Sequence, residues 1–246
     1  MLRRNLPNLL TLGNLLCGCA GLWLGNLYLG AACILLGMIF DFLDGAAARA
    51  LHVQSEMGKQ LDSLADLITF GVLPGKILWQ VLGRGGQSEM AIVAFFYPVA
   101  VAWRLARYNV RDSQQAHFIG LPSPAGAAVV ACLHLGFAPG LEVGGQTDGF
   151  VYGIFLFFGL ALPLLMLSQI PLLSFKIKDS NGKSPKVLYL LGLGSLVLGI
   201  TLQFKAGPLI LALYLLLSFW ASKNQYFQLN KRPSSPNTSP HPPASE

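Results

Sequence analysis

Four of the eleven acidic residues in the 246-residue chain stand in a spacing that suits chemistry: Asp41, Asp44, Asp62 and Asp66. On helices, Asp41 and Asp44 are i,i+3 and Asp62 and Asp66 are i,i+4, so each pair shares one face. If the two helices are joined by a short connection they run antiparallel as neighbours, and the pairs can face each other. Four ionised carboxylates in one small volume repel strongly, and divalent cations relieve that repulsion. The donors are all oxygen, with no His or Cys in the set, which favours Mg²⁺ or Mn²⁺ over zinc. Four carboxylates have room for two ions, the arrangement that clamps a phosphoryl group during displacement.

The residues around the acids suit a phosphate-bearing substrate. Gly45, Ala46, Ala47 and Ala48 remove side-chain bulk next to the first pair, so a flat ring can approach the backbone. Arg49 follows as a fixed cation suited to phosphate, and Gly58 thins the facing helix. Small residues also serve close helix packing in any membrane bundle; beside the acids, the ligand role is the stronger reading.

The elements that position these residues follow from composition. The chain is 53% hydrophobic and only 11% charged, against roughly 25% charged in soluble domains, and its mean hydropathy is +0.55. A soluble enzyme, a disordered chain and a disulfide scaffold are excluded, and an all-α polytopic membrane bundle is expected. A span needs ~20 apolar residues, and hydropathy places about eight: residues 9–25, 28–50, 59–82, 88–110, 123–140, 149–172, 185–203 and 207–223. The opening MLRRNLPNLL has an Arg pair and an apolar run without a small-residue cleavage site, and reads as a retained first span, not a signal peptide.

This arrangement puts Arg84 and Lys205 on one side and Lys76 inside the third span. The other fourteen of the seventeen Lys and Arg residues fall on the opposite side. The positive-inside bias makes that side, and both termini, cytoplasmic. The inner (cytoplasmic) membrane is the expected location, with the acids facing the cytoplasm. The net charge of +6 is then accounted for by topology and anionic headgroups, without nucleic acid. Cys17, Cys19, Cys33 and Cys132 lie in apolar stretches and read as packed thiols. Residues 1–225 form a single membrane-embedded domain, and 226–246, ending PSSPNTSPHPPASE, a disordered cytoplasmic tail.

The run DFLDGAAARALHVQSEMGKQLDSLAD, residues 41–66, resembles the signature of the CDP-alcohol phosphatidyltransferases, D-x-x-D-G-x-x-A-R-x8-G-x3-D-x3-D. Asp41, Asp44, Gly45, Ala48, Arg49, Gly58, Asp62 and Asp66 fill its fixed positions. The segments PNLLTLGNLLCG (7–18), LDSLADLITFGVLP (61–74), RLARYNV (104–110) and FIGLPSPAG (118–126) are similar to the branch of that family that takes serine as acceptor. The resemblance covers residues 3 to about 130.

It implies transfer of the phosphatidyl group of CDP-diacylglycerol to the hydroxyl of L-serine, with release of CMP, in phospholipid synthesis. It also implies that Asp41, Asp44 and Asp62 bind a pair of divalent cations. Asp66 touches the second cation and accepts the proton of the alcohol, and Gly45, Arg49 and Ser55 contact the CDP part. The partners so implied are the two substrates and membrane lipids; a homodimer is compatible with the sequence, which does not specify one.

The residues add an acceptor site. Arg104 and Arg107, i,i+3 at the cytoplasmic end of the fourth span, can each fork onto the serine carboxylate, and both also suit topological anchoring. Gly120–Leu121–Pro122–Ser123–Pro124 forms a stiff turn into the fifth span, with Ser123 a candidate N-cap whose helix end can bind an anion. Asn8 and Thr11 are candidate nucleotide contacts, while His52 and His117 read as surface residues. A relative accepting glycerol phosphate or inositol phosphate is the nearest alternative. An ion transporter is a further one, since intramembrane acids also mark ion paths.

Overall fold

A computed structural model describes residues 2–84, 88–110, 118–137, 149–168, 171–172, 194–195 and 197–229. The described residues are helical apart from turns and one two-residue antiparallel ladder, β1 (Phe118–Ile119) with β2 (Pro171–Leu172). Among the described residues, six helical stretches are long and apolar enough to cross a bilayer: Asn5–Trp23, Leu27–Ala50, Glu56–Gly83, Glu89–Val110, Gly149–Leu167 and Val197–Ser218. A shorter apolar helix spans Ser123–Phe137. This is a multi-pass membrane bundle. The first six expected spans each have a helical counterpart, with ends shifted by a few residues. The expected seventh span, 185–203, lies mostly outside the described residues, as does most of the expected tail.

The bundle begins with α1 (Leu2–Trp23) and α2 (Leu27–Ala50), packed along one another. Between them Gly25 takes φ +69°, a conformation that costs glycine little. Asn26 then caps α2, its side chain accepting from Leu29 N at 2.9 Å. α2 ends in a left-handed cap at His52, φ 53°, a position more often taken by glycine. There His52 N reaches Arg49 O at 3.3 Å and Val53 N reaches Ala48 O at 3.2 Å, the hydrogen-bond pair of a Schellman motif.

Ser55 opens α3 (Glu56–Asp66), its hydroxyl accepting from Gly58 N at 3.0 Å. Directly after Asp66 the helix widens into a π turn, Leu67–Val72, before tightening again as α4 (Leu73–Gly83). Leu73 N bonds Ile68 O, five residues back, and Pro74 has no N–H to give. The wider turn removes the clash a proline ring makes in a regular helix.

A 3₁₀ stretch, Ser88–Phe95, leads into α5 (Phe96–Val110); α6 (Ser123–Phe137), α7 (Gly149–Leu167) and α8 (Ala206–Leu229) follow. Phe70, Leu73, Ile77, Tyr97, Leu121, Phe155 and Leu162 are fully buried between these helices. Leu16, Trp23, Phe42, Val99, Phe157 and Leu164 are exposed, as residues facing lipid tails should be. Lys76, charged in the middle of a span, reaches the carbonyls of Gly21 and Leu22 at the end of α1. A cation there satisfies the last carbonyls of a helix and complements its dipole.

Candidate active site

The depth of the four carboxylates follows from helix arithmetic. Asp44 lies six residues before the end of α2 and Asp62 six after the start of α3, about 9 Å from the helix ends at 1.5 Å per residue. Asp41 and Asp66 lie nine and ten residues in, about 14 Å deep by the same rise. The five-residue connection 51–55 turns the chain back on itself, so the levels match across the two helices.

One carboxylate oxygen each from Asp41, Asp62 and Asp66 lie within 4.8 Å of one another. Asp44 is electrostatically coupled to all three. Asp44 and Asp66 are buried, and Asp41 and Asp62 half-buried.

Helix α1 supplies donors to this cluster. The Thr11 hydroxyl lies 2.7 Å from Asp44 Oδ2 and 3.1 Å from Pro7 O, and its single proton serves one of them at a time. Asn14 Nδ2 donates to Asp66 Oδ1 at 3.2 Å. Asp62 Oδ1 is buried and takes no hydrogen bond from the described residues. Buried carboxylates otherwise find donors or cations. An all-oxygen set this close, with a carboxylate oxygen left over, fits a hard divalent cation.

The residues expected around the nucleotide fall beside the cluster. Gly45 and Ala48 are half-buried on α2 and Arg49 is exposed, its Nη1 3.3 Å from where a Cβ on Gly45 would sit. Arg49 couples electrostatically to Asp44. Asn8 Oδ1 and Ser55 Oγ each lie 3.1 Å from the place of a Cβ on Gly58, so a larger residue there would displace both. An open pocket of about 390 Å³ lies beside Ala48, Arg49, His52 and Gln54. His52 is exposed; His117 lies outside the described residues.

The two arginines expected at the acceptor site part company. Arg104 is buried, donates from Nη1 to Ser123 Oγ at 3.3 Å, and couples electrostatically to Asp66. Ser123 is the first residue of α6, and its hydroxyl receives this bond. Arg107 instead spans the end of α7, with Nη1 on Leu167 O and Nη2 on Met166 O, each at 3.3 Å. Gly120, φ +77°, fits against the same helix end: a Cβ there would stand 2.6 Å from Met166 O. Arg107 and Gly120 thus brace α5 and the turn before α6 against α7, while Arg104 and Ser123 lie toward the carboxylates.

Sequence reasoning passed over Asn14, Thr69 and the link from α3 to α5, in which Lys59 Nζ donates to Asn109 O and Asn109 Nδ2 to Ser63 Oγ. The signal for Asn14 was present. Asn8, Thr11 and Asn14 recur every three residues along a stretch of α1 that is otherwise apolar from Leu6 onward and so share a face.

Fold and site together define a polytopic membrane enzyme with a carboxylate centre at the ends of two adjoining spans. Residues 4–173 match the family model of the CDP-alcohol phosphatidyltransferases, and the chain belongs to that family. Among its relatives, a CDP-diacylglycerol–serine O-phosphatidyltransferase of Helicobacter pylori (strain 26695) is 34% identical over 216 residues, 85% of this chain and 87% of that protein. The protein of the same name from Bacillus subtilis is 33% identical over 137 residues, 54% of this chain and 77% of its own length. That of Saccharomyces cerevisiae is 42% identical over 131 residues, 50% of this chain and 45% of the yeast protein.

Proposed function

We propose that this enzyme transfers the phosphatidyl group of CDP-diacylglycerol to L-serine, giving phosphatidylserine and CMP. The observation that carries the reading is the gathering of the family's acids, with Asp41, Asp62 and Asp66 oxygens within 4.8 Å of one another. The relatives' shared activity supports serine as acceptor.

Asp66 takes the proton from the serine hydroxyl as its oxygen bonds to the phosphorus of the phosphatidyl group, and the bond to the CMP oxygen breaks. A neutral hydroxyl is a poor nucleophile, so a base within hydrogen-bond reach is needed. Arg49 and the thinned surface at Gly45, Ala48 and Gly58 hold the CDP part, with Asn8, Thr11 and Ser55 around it. Arg104, with Ser123, receives the serine carboxylate. Two divalent cations, Mg²⁺ or Mn²⁺, held by Asp41, Asp44, Asp62 and Asp66, would supply charge neutralisation of the pyrophosphate and the departing CMP.

Basic residues concentrate on the side of the acids, so the site faces the cytoplasm with both termini on that side. Diacyl tails then stay in lipid while serine and CMP exchange with water. The test is an acceptor panel: purified protein, CDP-diacylglycerol, Mg²⁺ or Mn²⁺, and serine, glycerol 3-phosphate or inositol phosphate in turn, with CMP release as readout. Serine-dependent release is expected. Release with a phosphorylated acceptor and none with serine would replace serine in this reading, and no release with any acceptor would remove the transferase assignment.

A further inference from the structure

Asn14 is completely buried in the middle of an apolar helix, where a packing role alone would be served by Leu or Ala. Its side chain is used on one end only. Nδ2 donates to Asp66 Oδ1 at 3.2 Å, while Oδ1 is buried without a partner among the described residues and lies 2.9 Å from where a Cβ on Gly37 would be. A buried, unsatisfied carbonyl is unfavourable, and the opposite amide orientation would set oxygen against carboxylate oxygen. What the residue contributes is therefore its N–H.

The surroundings are built to keep it there. Thr69, three residues beyond Asp66 in the π turn, donates to Asn14 O at 2.9 Å. Thr69 itself fits between two glycines. A Cβ on Gly18 of α1 would stand 2.4 Å from Thr69 Oγ1, and one on Gly37 of α2 would stand 2.5 Å from Thr69 Cγ2. Side chain and backbone of Asn14 thus hold the end of α3 at two points.

We infer that Asn14 is a positioning residue for Asp66: its amide commits Oδ1 and sets the carboxylate plane, leaving Oδ2 for the proton of the acceptor hydroxyl. The inference rests on the reading of Asp66 as the base. Without the amide the carboxylate can rotate, and the hydroxyl meets a base that is present but misaligned. Loss of such an outer partner typically reduces activity 10–100-fold.

The experiment compares Asn14→Ala, Asn14→Leu and Asp66→Asn with wild type. CMP release is followed with CDP-diacylglycerol and serine at saturating Mg²⁺ or Mn²⁺, together with Tm in detergent and binding of CDP-diacylglycerol. Expected for both Asn14 variants is a kcat about 10–100-fold lower, with both KM values, liponucleotide binding and Tm close to wild type. Leu keeps the branched shape without the donor and Ala avoids overpacking, so if one of them does not fold, the other decides by the same criterion. A folded Asn14 variant with wild-type kcat overturns the inference, as does a kcat loss matched by losses of Tm and liponucleotide binding. Asp66→Asn separates the two levels of argument. If it is inactive while an Asn14 variant is fully active, only the positioning role falls; if it turns over normally, the base assignment falls and the inference with it.

Discussion

Adding one methyl group at Gly37 should disturb a site that Gly37 does not touch. The Cβ of Gly37→Ala would stand 2.5 Å from Thr69 Cγ2 and 2.9 Å from Asn14 Oδ1. Ordinary contact begins near 3.4 Å, so these groups must retreat by about 0.9 and 0.5 Å. Neither can swing aside freely. Both residues are fully buried. Thr69 is tied to Asn14 O and Asn14 to Asp66. Overpacking of this kind costs ~1–3 kcal/mol, and the helix gains back ~1 kcal/mol when Gly becomes Ala, so the net stability loss should be no more than about 2 kcal/mol. Activity should suffer more, because a misplacement of about 1 Å can cost ~10²-fold. Gly30→Ala, on the same helix, is the control. Its Cβ would meet Gly21 O and Leu73 Cδ1 at 3.6 Å, an ordinary contact, so it should leave turnover unchanged and hold or raise Tm. Thermal unfolding in detergent and serine-dependent CMP release measure both variants. Gly37→Ala with wild-type kcat, or Gly30→Ala with the larger loss of activity, would refute the reasoning.

Asp41→Ala and Asp62→Ala should each reduce CMP release to background, as should chelator added to wild type; full activity in chelator without added divalent ion would show that the carboxylates need no cation. Arg104→Lys should raise the KM for serine, because a point charge replaces a planar fork, with the KM for CDP-diacylglycerol little changed; an unaltered serine KM would remove Arg104 from the acceptor site. Arg107→Lys should act on stability instead, by about 1 kcal/mol for the lost hydrogen bonds to Met166 and Leu167, and a selective rise in serine KM with unchanged Tm would contradict that bracing role.

By itself, the sequence determined what depends on neighbours along the chain. Hydropathy placed helices at all the described spans, because a bilayer demands a length of apolar residues and little else. The spacing of Asp41 with Asp44, and of Asp62 with Asp66, put each pair on one helical face, and the short connection between the helices matched their depths. What depends on the rotation and approach of one helix against another was decided only in the tertiary structure. Arg104 and Arg107 are equivalent by spacing. In the fold Arg104 lies toward Ser123 and Asp66, while Arg107 closes the end of α7, about sixty residues away along the chain. Lys76 found the last carbonyls of α1, and Asn14 found Asp66. The physical reason is common to all of them. A long polar side chain in an apolar medium must satisfy its donors locally, and which acceptor comes within reach is set by how closely small residues such as Gly18 and Gly37 allow the helices to pack.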